Sequence, residues 1–272
     1  MVVNLLPGTD APTALNALSW VKNELSSVGS GDVATVHNAY LRWANDAADH
    51  LGRSFDPAEV DRLVLTPRHW ALQAMVPGPY SALMSLVQLE VREATHRLEG
   101  ALTALSERFE QWRRTPGVLV VPDTNVYLHH RMEFDDVDWA GVAQAQNHVQ
   151  VNVVLPMLVI DELDRHKRTN QRTRARSALR RINALVPDSG ISATLAPGHG
   201  SAGPTVIHLL LDDPRHVRLP HPDSELVDRA QALAGLTGRP VTLITFDTAM
   251  AVRARAAKLQ VCHLDLADEK AP

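Results

Sequence analysis

The chain has 272 residues, a formal net charge of -4 and 45% hydrophobic residues, enough for one large or two ordinary domains with a real core. No apolar run of about 18 residues is present, so no segment is expected to cross a membrane as a helix. The single Cys262 excludes an internal disulfide and a cysteine-based zinc site, and the start MVVNLLPGTD lacks the basic and long apolar regions of a signal peptide, so a cytoplasmic protein is expected.

Residues 1–114 are expected to form an all-helical domain. Val33, Val36, Tyr40, Trp43 and Ala47 recur at the 3–4 spacing of one helix face. PGPY at 77–80 breaks the chain. A long stripe then runs through Val87, Val91, Leu98, Leu102, Leu105, Phe109 and Trp112, interrupted at Ala94–Thr95. A helix of about 30 residues there is roughly 45 Å long. Its apolar edge must meet other helices of this half, a second copy of the chain or a protein partner. Trp20, Trp43, Trp70 and Trp112 are read as core. No catalytic motif occurs in this half.

After RRTPG (113–117) the pattern changes. Short apolar runs, VLVV at 118–121, VNVVL at 151–155, VIHLLL at 206–211, VTLITF at 241–246 and VCHL at 261–264, alternate with helical patterns near 137–147, 157–186, 224–235 and 248–259. Strand–helix alternation implies a mostly parallel sheet with helices on both faces, a three-layer α/β/α domain over 115–272. APGHGSAGP at 196–204 lacks the Gly-Lys-Ser/Thr ending of a phosphate-binding loop and is read as a connector.

Carboxylates mark the end of two of these strands. In an open parallel sheet, ligands bind beyond the carboxyl ends of the strands. Asp123 follows strand 118–121 and Asp247 follows strand 241–246, which puts both on one rim. In LPMLVIDELDRHK, about 100° of rotation per residue sets Glu162 on the face of Leu158 and Val159, with Asp161 and Asp164 turned away. In HPDSELVDRAQALAG, Asp223 extends the stripe of Leu226, Val227, Ala230, Leu233 and Ala234, whereas Glu225 and Asp228 are expected on the solvent side. Each acid alone reads as a helix cap or a surface group. Four like charges at one rim repel unless a hard divalent cation lies between them, and an all-oxygen set suits Mg²⁺ or Mn²⁺.

The ordered segments PDTNVYLHH, VLPMLVIDELDRHK, PDSELVDRAQAL and TLITFDTAMAVRARAAKL resemble the signature segments of the PIN domain, over roughly 117–266. That resemblance implies a metal-dependent ribonuclease with its acidic quartet at Asp123, Glu162, Asp223 and Asp247. It further implies supporting polar roles for Thr124, Asn125 and Thr245. The chemistry implied is hydrolysis of RNA phosphodiester bonds by a metal-activated water.

RHKRTNQRTRARSALRR (165–181) holds eight cations, Arg165, Lys167, Arg168, Arg172, Arg174, Arg176, Arg180 and Arg181, and no acid. Phosphate contact along single-stranded RNA, with DNA left open, is weighed against a solvated helix face. No aromatic residue interleaves the run, so Tyr127 or Trp139 would have to supply base stacking. Two readings compete with the nuclease. One is a catalytically inactive PIN-fold module that binds RNA or protein. The other is a haloacid-dehalogenase-type phosphatase, disfavoured because Asn125 stands where that chemistry needs a second Asp.

Overall fold

The computed structural model describes residues 5–6, 8–78, 82–168, 170, 172–186, 191–212 and 216–265. Pro79 and Tyr80 of the expected break, and Thr169 and Gln171 of the basic run, lie outside the described residues. The chain divides into two compact units, Met1–Arg114 with Gly235–Gly238, and Thr115–Ala234 with Arg239–Pro272.

The first unit holds α1 (Ala11–Leu25), α2 (Val33–Leu51), α3 (Pro57–Leu63), α4 (Pro67–Gln73) and α5 (Leu83–Arg113). Local chemistry sets their starts. Asp10, Asp32, Asp56 and Thr66 each accept a backbone N–H of the first turn, and α1, α3 and α4 carry Pro near their first position. The long stripe of α5 is covered from Leu83 to Trp112, and α1, α2, α3 and α4 all pack against α5. Val87, Leu98, Leu105 and Trp112 of the expected stripe are buried, whereas Val91, Leu102 and Phe109 are half-buried. Glu90 interrupts that face and is buried, accepting from Arg97 at 2.5 Å, Arg68 at 3.0 Å and Thr66 at 3.1 Å. Trp43 and Trp112 are core as expected, but Trp20 and Trp70 are 41% and 54% exposed. Trp20 instead stacks on the ring of His50, so helical spacing alone misassigned these two rings.

The second unit is built on one six-stranded sheet, order β3-β4-β2-β1-β5-β6. The strands are β1 (Val118–Pro122), β2 (Val151–Pro156), β3 (Ser192–Ala196), β4 (Thr205–Leu210), β5 (Val241–Thr245) and β6 (Gln260–His263). All pairs are parallel except β3 with β4. Every residue of β2 is buried, which is why its sequence is a continuous apolar run and not an alternating one. β3 is an antiparallel edge strand of mostly half-exposed residues, and the 196–204 connector joins it to β4.

Helices α6 (Thr124–His129), α7 (Trp139–Val142), α8 (Met157–His166), α9 (Arg172–Leu185), α10 (Pro222–Thr237) and α11 (Thr248–Ala256) complete the unit. The single helix expected over 157–186 is two, and α9 packs back on α8. One straight helix of that length would carry Ala175, Ala178 and Ile182 away from any cover; the break buries them. No described helix is long and apolar enough to cross a membrane.

Two backbone features fix the entry to β1. Gly117 has φ +87, and a Cβ there would run into the Gln150 carbonyl. Arg239, just before β5, donates to the Thr115 carbonyl at 2.6 Å and to that of Gly117. These contacts lock β1 between β2 and β5. Connectivity runs from β1 out to β2 and β4 on one side, then returns to β5 and β6 on the other. The topological switch therefore lies between β1 and β5, where parallel sheets bind ligands.

Candidate active site at the carboxyl rim of the sheet

Parallel register sets the geometry. Pro122 pairs with Ile244, and the Asp123 N–H donates to the Ile244 carbonyl at 2.8 Å, so Asp123 leaves β1 beside Thr245. The Thr245 hydroxyl donates to Asp123 Oδ2 at 2.9 Å and accepts the Asp247 N–H at 2.9 Å. One buried hydroxyl thus orients both acids. Asp247 then caps α11, its Oδ1 accepting from Ala249 at 2.6 Å and Met250 at 3.0 Å. Its second oxygen accepts nothing from the described residues.

The third acid arrives from α8. Thr124, the first residue of α6, donates through its hydroxyl to Glu162 Oε2 at 2.5 Å. Asn125 donates to Asp123 from its side chain at 3.3 Å and from its backbone at 3.4 Å. Asp161, the next residue along, points elsewhere and pairs with Arg218 at 2.6 Å, as the helical phase requires. Asp123 is only 4% exposed. Burial pushes its carboxyl above the ordinary range, bonds from Thr245 and Asn125 hold it down in part, and the Glu162 charge raises it further.

Asp223 stands apart from these three. It lies in the first turn of α10 and pairs with Arg253 of α11 at 2.6 Å. Both side chains are about half exposed, so the pair is weak. Arg253 was invisible as a site residue in the sequence, although it lies six residues past Asp247 on the helix that Asp247 caps. Among the described residues, Asp123, Glu162 and Asp247 have no Lys or Arg partner.

Two expectations fail here. Glu225 is not on a solvent face: it is fully buried, accepting from His216 at 2.6 Å and the Leu219 N–H at 2.8 Å, with Arg229 at 3.4 Å. The 216–219 segment folds over that side of α10, which helical periodicity cannot anticipate. Together His216, Glu225 and Asp228 bring potential ligand atoms within 4.8 Å of one another. Arg229 already bonds Asp228 at 2.5 Å and lies against Glu225, so a guanidinium neutralises this group and it serves as a clamp on the loop. Tyr127 and Trp139 are 4% and 2% exposed and pack with Phe134, so neither forms a stacking platform for bases.

The basic run is divided by the fold. Arg174 donates to the carbonyls of Met132 at 2.7 Å and Arg131 at 2.9 Å, and Arg181 pairs with Asp135 at 2.7 Å. These two hold the 131–135 segment. Lys167 pairs with Asp164. Arg165 contacts only the Asp161 carbonyl, at 3.4 Å. Arg168 is exposed near Asp164, whereas Arg172, Arg176 and Arg180 are exposed with no acidic partner among the described residues. The last three recur every fourth residue, as one ridge of α9.

Carboxylates gathered at the switch point of a parallel α/β sheet are compatible with a nuclease-type fold. The sequence profile of the PIN domain matches residues 120–265, more than half of the chain, and the chain belongs to that family. No curated protein matches the chain. PIN domains are generally nucleases that use divalent metal ions, which gives this chain a nuclease-type enzymatic character. The donor set fits such an ion: it is all oxygen, it places Glu162 close enough to raise Asp123, and it offers Asp123 no cation of the protein to offset burial.

Proposed function

We propose that the protein is a Mg²⁺- or Mn²⁺-dependent ribonuclease acting on single-stranded RNA. The observation that supports this best is the pair of hydroxyl bridges, Thr124 to Glu162, and Thr245 to Asp123 and to the Asp247 backbone N–H. It holds three carboxylates at the switch point without a protein cation between them. Asp123, Glu162 and Asp247 would hold the ion, and Asp223, paired with the exposed Arg253, would be a fourth oxygen donor.

Bound there, a divalent ion supplies Lewis-acid activation of a phosphate oxygen and a nucleophilic water at neutral pH. The chain's residues do the positioning. Thr245 ties the Asp123 carboxyl group to the Asp247 backbone, the N–H groups of Ala249 and Met250 hold the Asp247 carboxyl group, and Thr124 holds that of Glu162. Asn125 donates to Asp123 and restrains its rotation. Arg168, Arg172, Arg176 and Arg180 take backbone phosphates, with Arg165 and Lys167 at the near end of the run, while Arg174 and Arg181 shape the neighbouring loop.

The test is cleavage of labelled single-stranded RNA and DNA with and without Mn²⁺, for the native chain and Asp123→Asn. The expected result is metal-dependent RNA cleavage that falls on the order of 100-fold or more in the variant, with the circular dichroism spectrum unchanged. Full Mn²⁺-dependent turnover by Asp123→Asn removes the assignment. Inactive native protein that still binds RNA establishes the non-cleaving module instead.

A further inference from the structure

A second feature on the same rim is not used by the chemistry above. Between α8, α9 and the end of β4 lies a cleft of about 630 Å³. Its floor is aliphatic, formed by Ile160, Leu179, Ile182 and Leu209. Its wall is cationic: Arg176 and Arg180 have no acidic partner among the described residues, Lys167 pairs with Asp164, and Asn183 adds an exposed amide. Among the described residues no acid lines it. The volume lies in the range of sites for small molecules, which run from about 300 to 1,000 Å³.

We propose that this cleft is a nucleotide subsite that holds one unit of the RNA strand, base on the aliphatic floor and phosphate on Arg176 and Arg180. The inference rests on the nucleic-acid reading of the rim and goes beyond it by naming where a nucleotide away from the cut is gripped. An inorganic anion would use the guanidinium groups and leave the floor wet. A purely apolar ligand would use the floor and leave two cations facing it. A nucleotide satisfies both, because it joins a flat, weakly polar ring to a phosphate. Asn183 offers a donor and an acceptor to a base edge, the pairing an amide makes with adenine.

Position fits the same strand. Leu209 pairs with Leu155 near the carboxyl end of the sheet, the edge from which Asp123 projects. Ile160 and Glu162 are two residues apart on α8, hence on opposite sides of that helix, about 10 Å across. A strand that reaches both the carboxylates and the cleft therefore has to pass across α8, a span of about 10 Å.

The experiment is titration of the full chain in EDTA with adenosine 5′-monophosphate, uridine 5′-monophosphate, inorganic phosphate and adenosine, followed by calorimetry. A mononucleotide is expected to bind, with phosphate and adenosine each weaker by about tenfold or more. The double variant Arg176→Ala/Arg180→Ala and the single variant Leu179→Asn, both at non-buried helix positions, are expected to lose that binding while melting like the native chain. Phosphate binding as tight as a mononucleotide, a mononucleotide affinity untouched by both variants, or no binding at millimolar concentration overturns the proposal. An acidic peptide that binds where no nucleotide does also overturns it. EDTA keeps the two readings separate. Nucleotide binding by a chain that cleaves nothing sinks the nuclease alone, and Mn²⁺-dependent cleavage with an unchanged KM in Leu179→Asn sinks the subsite alone.

Discussion

Two adjacent acids on α8 give the sharpest comparison at the scale of single residues. Glu162 faces Thr124 and the switch point, whereas Asp161 faces Arg218. Glu162→Gln is expected to cut metal-dependent cleavage on the order of 100-fold, while Asp161→Asn leaves it within about threefold. Asp161→Asn loses one half-exposed ion pair, a cost of about 1 kcal/mol or less in a denaturant melt. Equal activity losses would mean that α8 presents a different face in solution. The sequence already carried this distinction, because helical phase depends only on spacing. It did not carry the burial of Glu225, since that depends on a segment nine to six residues earlier folding over α10.

At the scale of the element, α9 combines two kinds of arginine. Arg174 is committed to the 131–132 carbonyls, whereas Arg172 lies exposed with no acid beside it. Arg172→Ala is expected to leave the melting temperature unchanged and to flatten the salt dependence of single-strand binding by about 0.7 in the log–log slope. Arg174→Ala is expected to do the reverse. It lowers the melting temperature by several degrees, for a loss of about 1–3 kcal/mol, and leaves the slope alone. Melting curves and filter binding across a salt series read both outcomes.

The elements differ in how plainly the sequence announced them. β1, β2 and β5 are nearly continuous β-branched and aliphatic runs because both of their faces are covered. β3, Ser192–Ala196, is short and half exposed at a sheet edge, so it leaves no apolar run to read. α6 follows β1 so closely that its six residues look like the strand's continuation. The break between α8 and α9 carries no Gly or Pro; it exists because burial of Ala175, Ala178 and Ile182 requires a turn back.

For the molecule as a whole, each unit contains a histidine that burial holds below its ordinary pKa. In the first unit it is His69, whose Nδ1 lies 3.2 Å from the Tyr40 hydroxyl, partly opposed by the charge of Glu90. In the second it is His208, whose Nε2 lies 3.0 Å from Asn152 Oδ1. A depressed histidine pKa means that the unfolded chain binds more protons below about pH 6.5. Stability is therefore complete above that pH and declines as the pH falls toward the folded-state values. Calorimetric scans at steps from pH 7.5 to 5.5 should record falling melting temperatures, and His208→Gln should reduce the slope for the unit that carries it. A flat profile would mean that both rings take up protons as readily folded as unfolded.

The bond between Thr245 and Asp123 joins residues 122 positions apart. During synthesis at about 5–20 residues per second, Asp123 is added to the chain roughly 6–24 s before Thr245. Throughout that interval the strand that should stand beside β1 is still being translated, and neither Asp247 nor its orienting hydroxyl has been made. A rim assembled in this order cannot form until β5 and the residues just after it have been translated. Chain order itself delays the cutting centre, and a circular permutant that brings β5 ahead of β1 would surrender that delay.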